Sequence, residues 1–207
     1  MTDKLIYQIG LTMINGVGDI LARHLLQTLG DAEAVFAEKQ QLLGRIPGIG
    51  SHLAAEIKRP EILQRAEKEL AFIEKNNISC YYLTDADYPA RLRECPDTPI
   101  LFYFKGNTNL DASRIISVVG TRNATEYGRG LTESLIKDLA EAIPNLLVVS
   151  GLAYGVDICA HRSALKYGLP TYTTNCRPLP YWRMVWTVSI LPAIGIRLWK
   201  CWNQAVC

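Results

Sequence analysis

Ile115-Ile116-Ser117-Val118-Val119-Gly120-Thr121-Arg122-Asn123-Ala124-Thr125 is the stretch whose reading decides the fold. A short apolar run ending in glycine is a buried strand that runs straight into a turn. A helical pattern follows to about Ile143. Leu146-Leu147-Val148-Val149-Ser150-Gly151 then repeats the strand theme, and Leu152-Ala153-Tyr154-Gly155-Val156-Asp157 leads into a second helical run, Ile158–Tyr167. Strand, loop, helix, taken twice, is a βαβα unit and predicts a parallel sheet, hence an α/β fold. Ligands of such sheets bind beyond the carboxyl ends of the strands. Both glycine-bearing loops are therefore expected at one edge, side by side.

The chemistry of these loops suits an anion. Gly120 lets the backbone come close, the following N–H groups and the Thr121 hydroxyl donate, and Arg122 offers a planar fork for phosphate. Thr125 at a helix start adds a positive helix end. Ser150, Gly151 and Gly155 are expected to build the facing wall. The spacing is not G-x-G-x-x-G and no acidic residue closes the second strand, so a dinucleotide is disfavoured and no cofactor is expected. No catalytic set stands out. His161 follows Asp157 by one helical turn, a pairing that more often orients a loop than performs chemistry, and Ser150-Gly151 lacks a nucleophile elbow. A phosphate site for a nucleotide or a nucleic-acid backbone remains, beside the plainer reading in which the glycines only make turns.

Outward from this unit, residues 4–75 read as helices. Ile14-Asn15-Gly16-Val17-Gly18-Asp19 is echoed by Ile46-Pro47-Gly48-Ile49-Gly50-Ser51, each preceding an apolar helical face. The pair resembles the helix-hairpin-helix motif, whose glycines bring backbone N–H groups to a DNA phosphate. Two αα-corners with glycine turns would give the same pattern. Gly16, Gly18, Gly48 and Gly50 are thus secondary DNA-contact candidates. Ile78–Leu83 and Ile100–Lys105 read as strands, with turn-rich sequence between them.

Composition bounds the class. About half the 207 residues are hydrophobic and a fifth charged, as in a globular protein. No apolar run approaches the roughly 20 residues of a membrane span. The N-terminus has no signal-peptide pattern, so a cytoplasmic location is expected. The six cysteines show neither a C-x-x-C pair nor metal spacing, and reduced thiols are expected. Charge is unevenly distributed: residues 171–207 hold four of the 22 basic residues, none of the 20 acidic ones, and all four tryptophans.

Val118-Val119-Gly120-Thr121-Arg122 with Tyr127-Gly128, then Val149-Ser150-Gly151-Leu152-Ala153-Tyr154-Gly155-Val156-Asp157 with Ala160-His161, resembles the DNA-processing protein A family (DprA, also called Smf). Tyr88-Pro89-x-x-Leu92 and Pro99-x-Leu101-Phe102-Tyr103-x-Lys105-Gly106 are similar to the segment before that family's Rossmann-like domain. The resemblance covers roughly residues 5–170. It implies a helical helix-hairpin-helix or SAM-like domain (1–77), then a Rossmann-like DNA-binding domain with its N-terminal extension (78–170). It further implies a non-enzymatic single-stranded-DNA-binding protein of natural transformation that protects incoming DNA, loads the RecA recombinase and forms a homodimer. By match, the DNA contacts fall on Gly120, Thr121, Arg122, Ser150, Gly151 and Gly155, with Arg122 the main phosphate contact. A Rossmann-like nucleotide hydrolase or phosphoribohydrolase is the enzymatic alternative, but its P-G-G-x-G-T-x-x-E motif is not found here. A purely structural adaptor would leave both glycine loops without a use.

After Thr171 the resemblance stops. Tryptophan and methionine have single codons, so part of the underlying DNA is fixed. When residues 181–192 are read one base earlier, the codons permit L-A-H-G-L-D-R-I-Y-P-A, and Trp199–Val206 permit E-M-L-E-P-G-G-L. Both match the continuation that the family implies. The expectation is a frameshifted tail over 171–207, with its junction between Pro170 and Tyr181. The alternative is a genuine aromatic, basic arm that stacks on DNA. Sequencing the gene across codons 165–207 decides between them. A frameshift implies a truncated, impaired chain that keeps two βα units, exposes a sheet edge and lacks the family's dimer contact.

Overall fold

The computed structural model describes residues 2–106, 108–179 and 182–188, with side chains described for 4–106 and 108–173. Contacts divide the chain into a unit built on Met1–Tyr103 and a unit built on Phe104–Arg177.

The first unit opens with α1 (Thr2–Thr12), α2 (Asp19–Leu29), α3 (Ala32–Ala37), α4 (Gln40–Leu43), α5 (Gly50–Ile57) and α6 (Pro60–Lys75). Pro60 starts α6, where a missing N–H costs nothing. Ile9, Leu11, Leu25, Leu43 and Ile57 are fully buried and form the centre of the core. The echo between the two glycine loops has a packing cause. Gly16 has φ +83° and a Cβ there would lie 2.8 Å from Leu53 Cδ2, while Gly48 has φ +86° and would meet Leu21 Cδ2 at 3.1 Å. Each loop seats the leucine of the other's following helix, so the two hairpins pack reciprocally.

β1 (Ser79–Tyr82), α7 (Ala90–Arg93) and β2 (Leu101–Lys105) follow, with β1 and β2 neighbours in a sheet. Tyr88 anchors the turn-rich link. Its hydroxyl donates to the Pro99 carbonyl at 2.7 Å and lies 2.7 Å from Thr98 Oγ1. Its ring meets Phe102 edge-on at 5.3 Å.

Glu69 is 7% exposed on α6. Burial pushes its carboxyl up to about 7, against the Tyr103 hydroxyl, which favours the charged form. The neutral carboxyl is therefore the form the fold prefers. Its contribution is complete below the unfolded value near 4.5 and is lost as pH rises through about 7. The shift corresponds to roughly 3 kcal/mol at its fullest. Thermal midpoints of the first unit are expected to fall as pH rises from about 4.5 to 7 and to level off above it, and Glu69→Gln to flatten that slope. Identical slopes in both proteins would count against this account. Nearby Cys80 has its thiol pushed up to about 12 by burial, then by Asp85 and Glu69, so it is an unreactive neutral thiol.

The second unit contains β3 (Ile115–Val118), α8 (Glu126–Ala142), β4 (Leu147–Ser150), α9 (Val156–Lys166) and the greater part of β5 (Thr171–Leu179) and β6 (Trp182–Val188). β3 and β4 are parallel, with Ile115 opposite Leu147 and Val118 opposite Ser150. β4 and β5 are also parallel, with Val148 opposite Thr171. The parallel α/β architecture is thus as the strand–loop–helix repeat predicts. α8 and α9 pack on each other, and Ile136, Leu146, Val148, Ala164 and Leu169 form the buried cluster beneath them.

One expectation needs correction. Loss of every strand after the second βα unit would leave β4 at an edge, but Thr171 starts a third parallel strand that covers it. Gly168, at φ +73°, turns the chain out of α9. The Thr171 hydroxyl donates to the Val148 carbonyl at 2.8 Å, and Thr171 and Thr173 are buried. Residues 180–181 and 189–207, where much of the codon reading falls, lie outside the described residues.

Candidate nucleic-acid interface

The two glycine loops meet at the carboxyl edge of the parallel strands. The Val156 N–H donates to the Thr121 carbonyl at 3.1 Å and ties the second loop to the first. Gly155 has φ +88°, and a Cβ on it would lie 2.1 Å from the Thr121 oxygen and 2.6 Å from that of Arg122. A Cβ on Gly120 would lie 2.6–2.9 Å from the Val156 side chain, and one on Gly151 would lie 2.6 Å from Asp157 Oδ2. These glycines let the loops approach each other and the start of α9. That is a different use from an approach of backbone to ligand.

The docking leaves Thr121, Arg122 and Asn123 on the surface. Thr121 Oγ1 accepts from the Asn123 N–H at 3.2 Å and keeps its own hydrogen to donate. Thr125 caps α8 by accepting from the Gly128 N–H at 3.1 Å, so the start of a 17-residue helix stands beside Arg122. Glu126 in the first turn of α8 offsets part of that positive end.

Ser150 is placed differently from the sequence expectation. It is 3% exposed, and its hydroxyl donates to the Val118 carbonyl at 2.7 Å. Every residue of β4 is buried. A serine at its end must satisfy its hydroxyl inside the sheet, and the carbonyl directly opposite is within reach. Ser150 therefore links β3 to β4 and does not face a ligand.

His161 is 2% exposed and orients the same edge. Its Nε2 lies 2.9 Å from the Gly151 carbonyl and must carry the hydrogen there, so its Nδ1, 2.7 Å from Thr171 Oγ1, shares the single Thr171 hydroxyl hydrogen with the Val148 carbonyl. Burial lowers its pKa, with the Gly151 contact and Asp157 acting in the opposite sense. The neutral ring holds the second loop against α9. Both ring nitrogens are thereby committed to contacts within the fold.

From the loops a groove of about 820 Å³ extends between α8 and α9, lined by Arg122, Arg129, Tyr154, Gly155, Arg162 and Lys166 among others. Of these, Arg122 and Gly155 are site residues expected from the sequence. The signal for the rest was helical spacing: Thr125, Arg129 and Glu133 fall one turn apart on α8, and Ile158, Arg162 and Lys166 on α9.

The hairpin loops of the first unit are less well equipped. Arg23 donates to the Pro96 and Thr98 carbonyls at 3.0 and 2.9 Å, Lys58 to that of Phe36, and Arg59 pairs with Glu56 at 2.9 Å. These three cations are committed to the fold, whereas Arg45, just before the second loop, is exposed. Asp19 stands at the first turn of α2, beside Gly16 and Gly18, and accepts the Ile100 N–H at 3.3 Å. A carboxylate there opposes a phosphate. Gly18 and Gly50 have open space where a Cβ would stand, whereas Gly16 and Gly48 are filled by the opposing leucines. Among the described residues no cluster could hold a metal ion, and no helix is long and apolar enough to cross a membrane.

Comparison with known proteins relates this geometry to a family. Residues 79–179 match the model of the DNA recombination-mediator protein A family. The match runs past Pro170 through β5, which moves the end of the family pattern later than the sequence alone suggested. The chain is 30% identical over 168 residues to a protein Smf of Synechocystis sp., covering 77% of this chain and 41% of that one. It is 38% identical over 88 residues to a DNA processing protein DprA of Streptococcus pneumoniae, covering 42% and 30%. The X-ray structure of DNA processing protein A from Streptococcus pneumoniae superposes with a TM-score of 0.54 at 25% identity, over 91% of this chain and 68% of that one. The chain thus spans well under half the length of these curated relatives. The family model, these relatives and the parallel βαβα edge agree: over residues 79–179 the chain matches the DNA-processing protein A (DprA/Smf) family.

Proposed function

We infer that this chain binds the sugar-phosphate backbone of single-stranded DNA at the docked loops 120–125 and 151–156, without reading bases. It would act as the DNA-holding part of a recombination mediator in natural transformation. The observation that carries this reading is Arg122 exposed beside the capped start of α8, on a loop held rigidly by Gly155 and the Val156–Thr121 hydrogen bond. A fixed backbone with an unburied guanidinium suits a phosphate ester of arbitrary sequence, which is what incoming DNA presents. Within this reading the chain performs no chemistry. Loading of RecA onto the strand and pairing into a homodimer are the remaining steps we assign to the longer family members. The division into a helical part (1–77), a Rossmann-like part and a shifted-frame tail is likewise a proposal.

Arg122→Ala tests the assignment. Binding to oligo-dT and to mixed-sequence strands is expected to weaken alike. The slope of log affinity against log salt should shrink by about 0.7, the value for one phosphate contact on a single strand. An unchanged slope and affinity would remove Arg122 from the site.

A further inference from the structure

We propose that the α8–α9 groove is a second phosphate track that continues the loop site, so that the strand leaves Arg122 along Arg129 and Arg162. The proposal rests on the reading of the loops as a single-strand site and defines how far that site extends.

Three observations carry it. First, the walls are basic and in register. Arg129 lies one turn after Thr125 on α8, and Arg162 and Lys166 lie one turn apart on α9, so each step moves a cation about 5.4 Å farther from the loops. Second, these charges are available. Arg162 is exposed and has no hydrogen bond or ion pair among the described residues, in contrast to Arg23, Lys58 and Arg59 in the first unit. Arg129 spends one N–H on the Ala124 carbonyl, at 2.6 Å, and keeps the rest of its fork. The single carboxylate lining the groove, Glu133, is neutralised in place. Lys166 and the Tyr167 hydroxyl donate to it and hold its pKa low. Three guanidinium groups therefore remain in excess. Third, the Tyr154 ring is 66% exposed at the loop end of the groove and offers a face on which a base can stack.

The shape selects the partner. A groove that opens along two helices accepts an extended polyanion better than a free nucleotide, which the loops alone would hold. A solvated helical face is the plainer explanation of such charges. It does not account for the placement of the cations on both walls with their one acid already paired.

The test uses the 207-residue chain with fluorescent oligo-dT of increasing length, titrated at several salt concentrations. Arg162→Ala is the probe, since it is exposed and outside the loop docking. Folding is checked by an unchanged thermal midpoint, and Arg162→Lys should largely restore binding. On long strands Arg162→Ala is expected to weaken binding about tenfold and to lower the salt slope by about 0.7, with little effect on the shortest strands that bind. Arg122→Ala should weaken binding at every length. If Arg162→Ala matches the parent at all lengths while Arg122→Ala still weakens, the track is overturned and the loop site stands. If the unaltered chain binds no single strand even at low salt, both fall together.

Discussion

Gly155→Ala is expected to destabilise the second unit by more than about 3 kcal/mol and to abolish single-strand binding. Two independent penalties meet at this position. Its φ of +88° with ψ of −126° is a conformation open in practice only to glycine. An added Cβ would also lie 2.1 Å from the Thr121 oxygen, which is backbone and cannot rotate away. Relief requires the loops to part, and parting breaks the Val156–Thr121 hydrogen bond. Denaturant midpoints of the parent and the variant measure the effect. Equal midpoints would show that the loops do not dock as described.

Gly120→Ala is the second large effect, expected at about 1–3 kcal/mol from overpacking alone. The obstruction here is a side chain: Val156 Cγ2, Cβ and Cγ1 lie at 2.6, 2.7 and 2.9 Å from the added atom. Coupling is therefore predicted. Val156→Ala removes both Cγ contacts, so the double variant should recover part of the stability lost in Gly120→Ala. Strictly additive losses in the four-protein cycle would contradict direct contact.

The alternation of strand and helix over 115–167 was legible because buried parallel strands are short apolar runs and their helices are periodic. The adjacency of the two loops followed from topology. The detailed uses of residues did not. The glycines of both loops suggested approach to a ligand, but Gly120, Gly151 and Gly155 serve contacts between loops and helix, visible only when Val156 and Asp157 are placed opposite them. Ser150 looked like a loop hydroxyl, although strand register puts it opposite Val118 and inside the sheet. The third strand was hidden because Thr171-Tyr172-Thr173 carries no apolar run. Its first buried threonine is held by a hydrogen bond, between the Thr171 hydroxyl and the Val148 carbonyl. Arg129 and Arg162 were legible only as surface charges until α8 and α9 were known to pack side by side.

We propose that DNA lies on the docked loops of the parallel sheet and not on the helical hairpins. Hydrogen exchange with and without a single-stranded oligonucleotide tests it most directly. The account predicts slower exchange in residues 120–125 and 151–156 together, with residues 14–19 and 46–51 unchanged. Protection confined to 14–19 and 46–51, or absent from both glycine loops of the sheet, would contradict it.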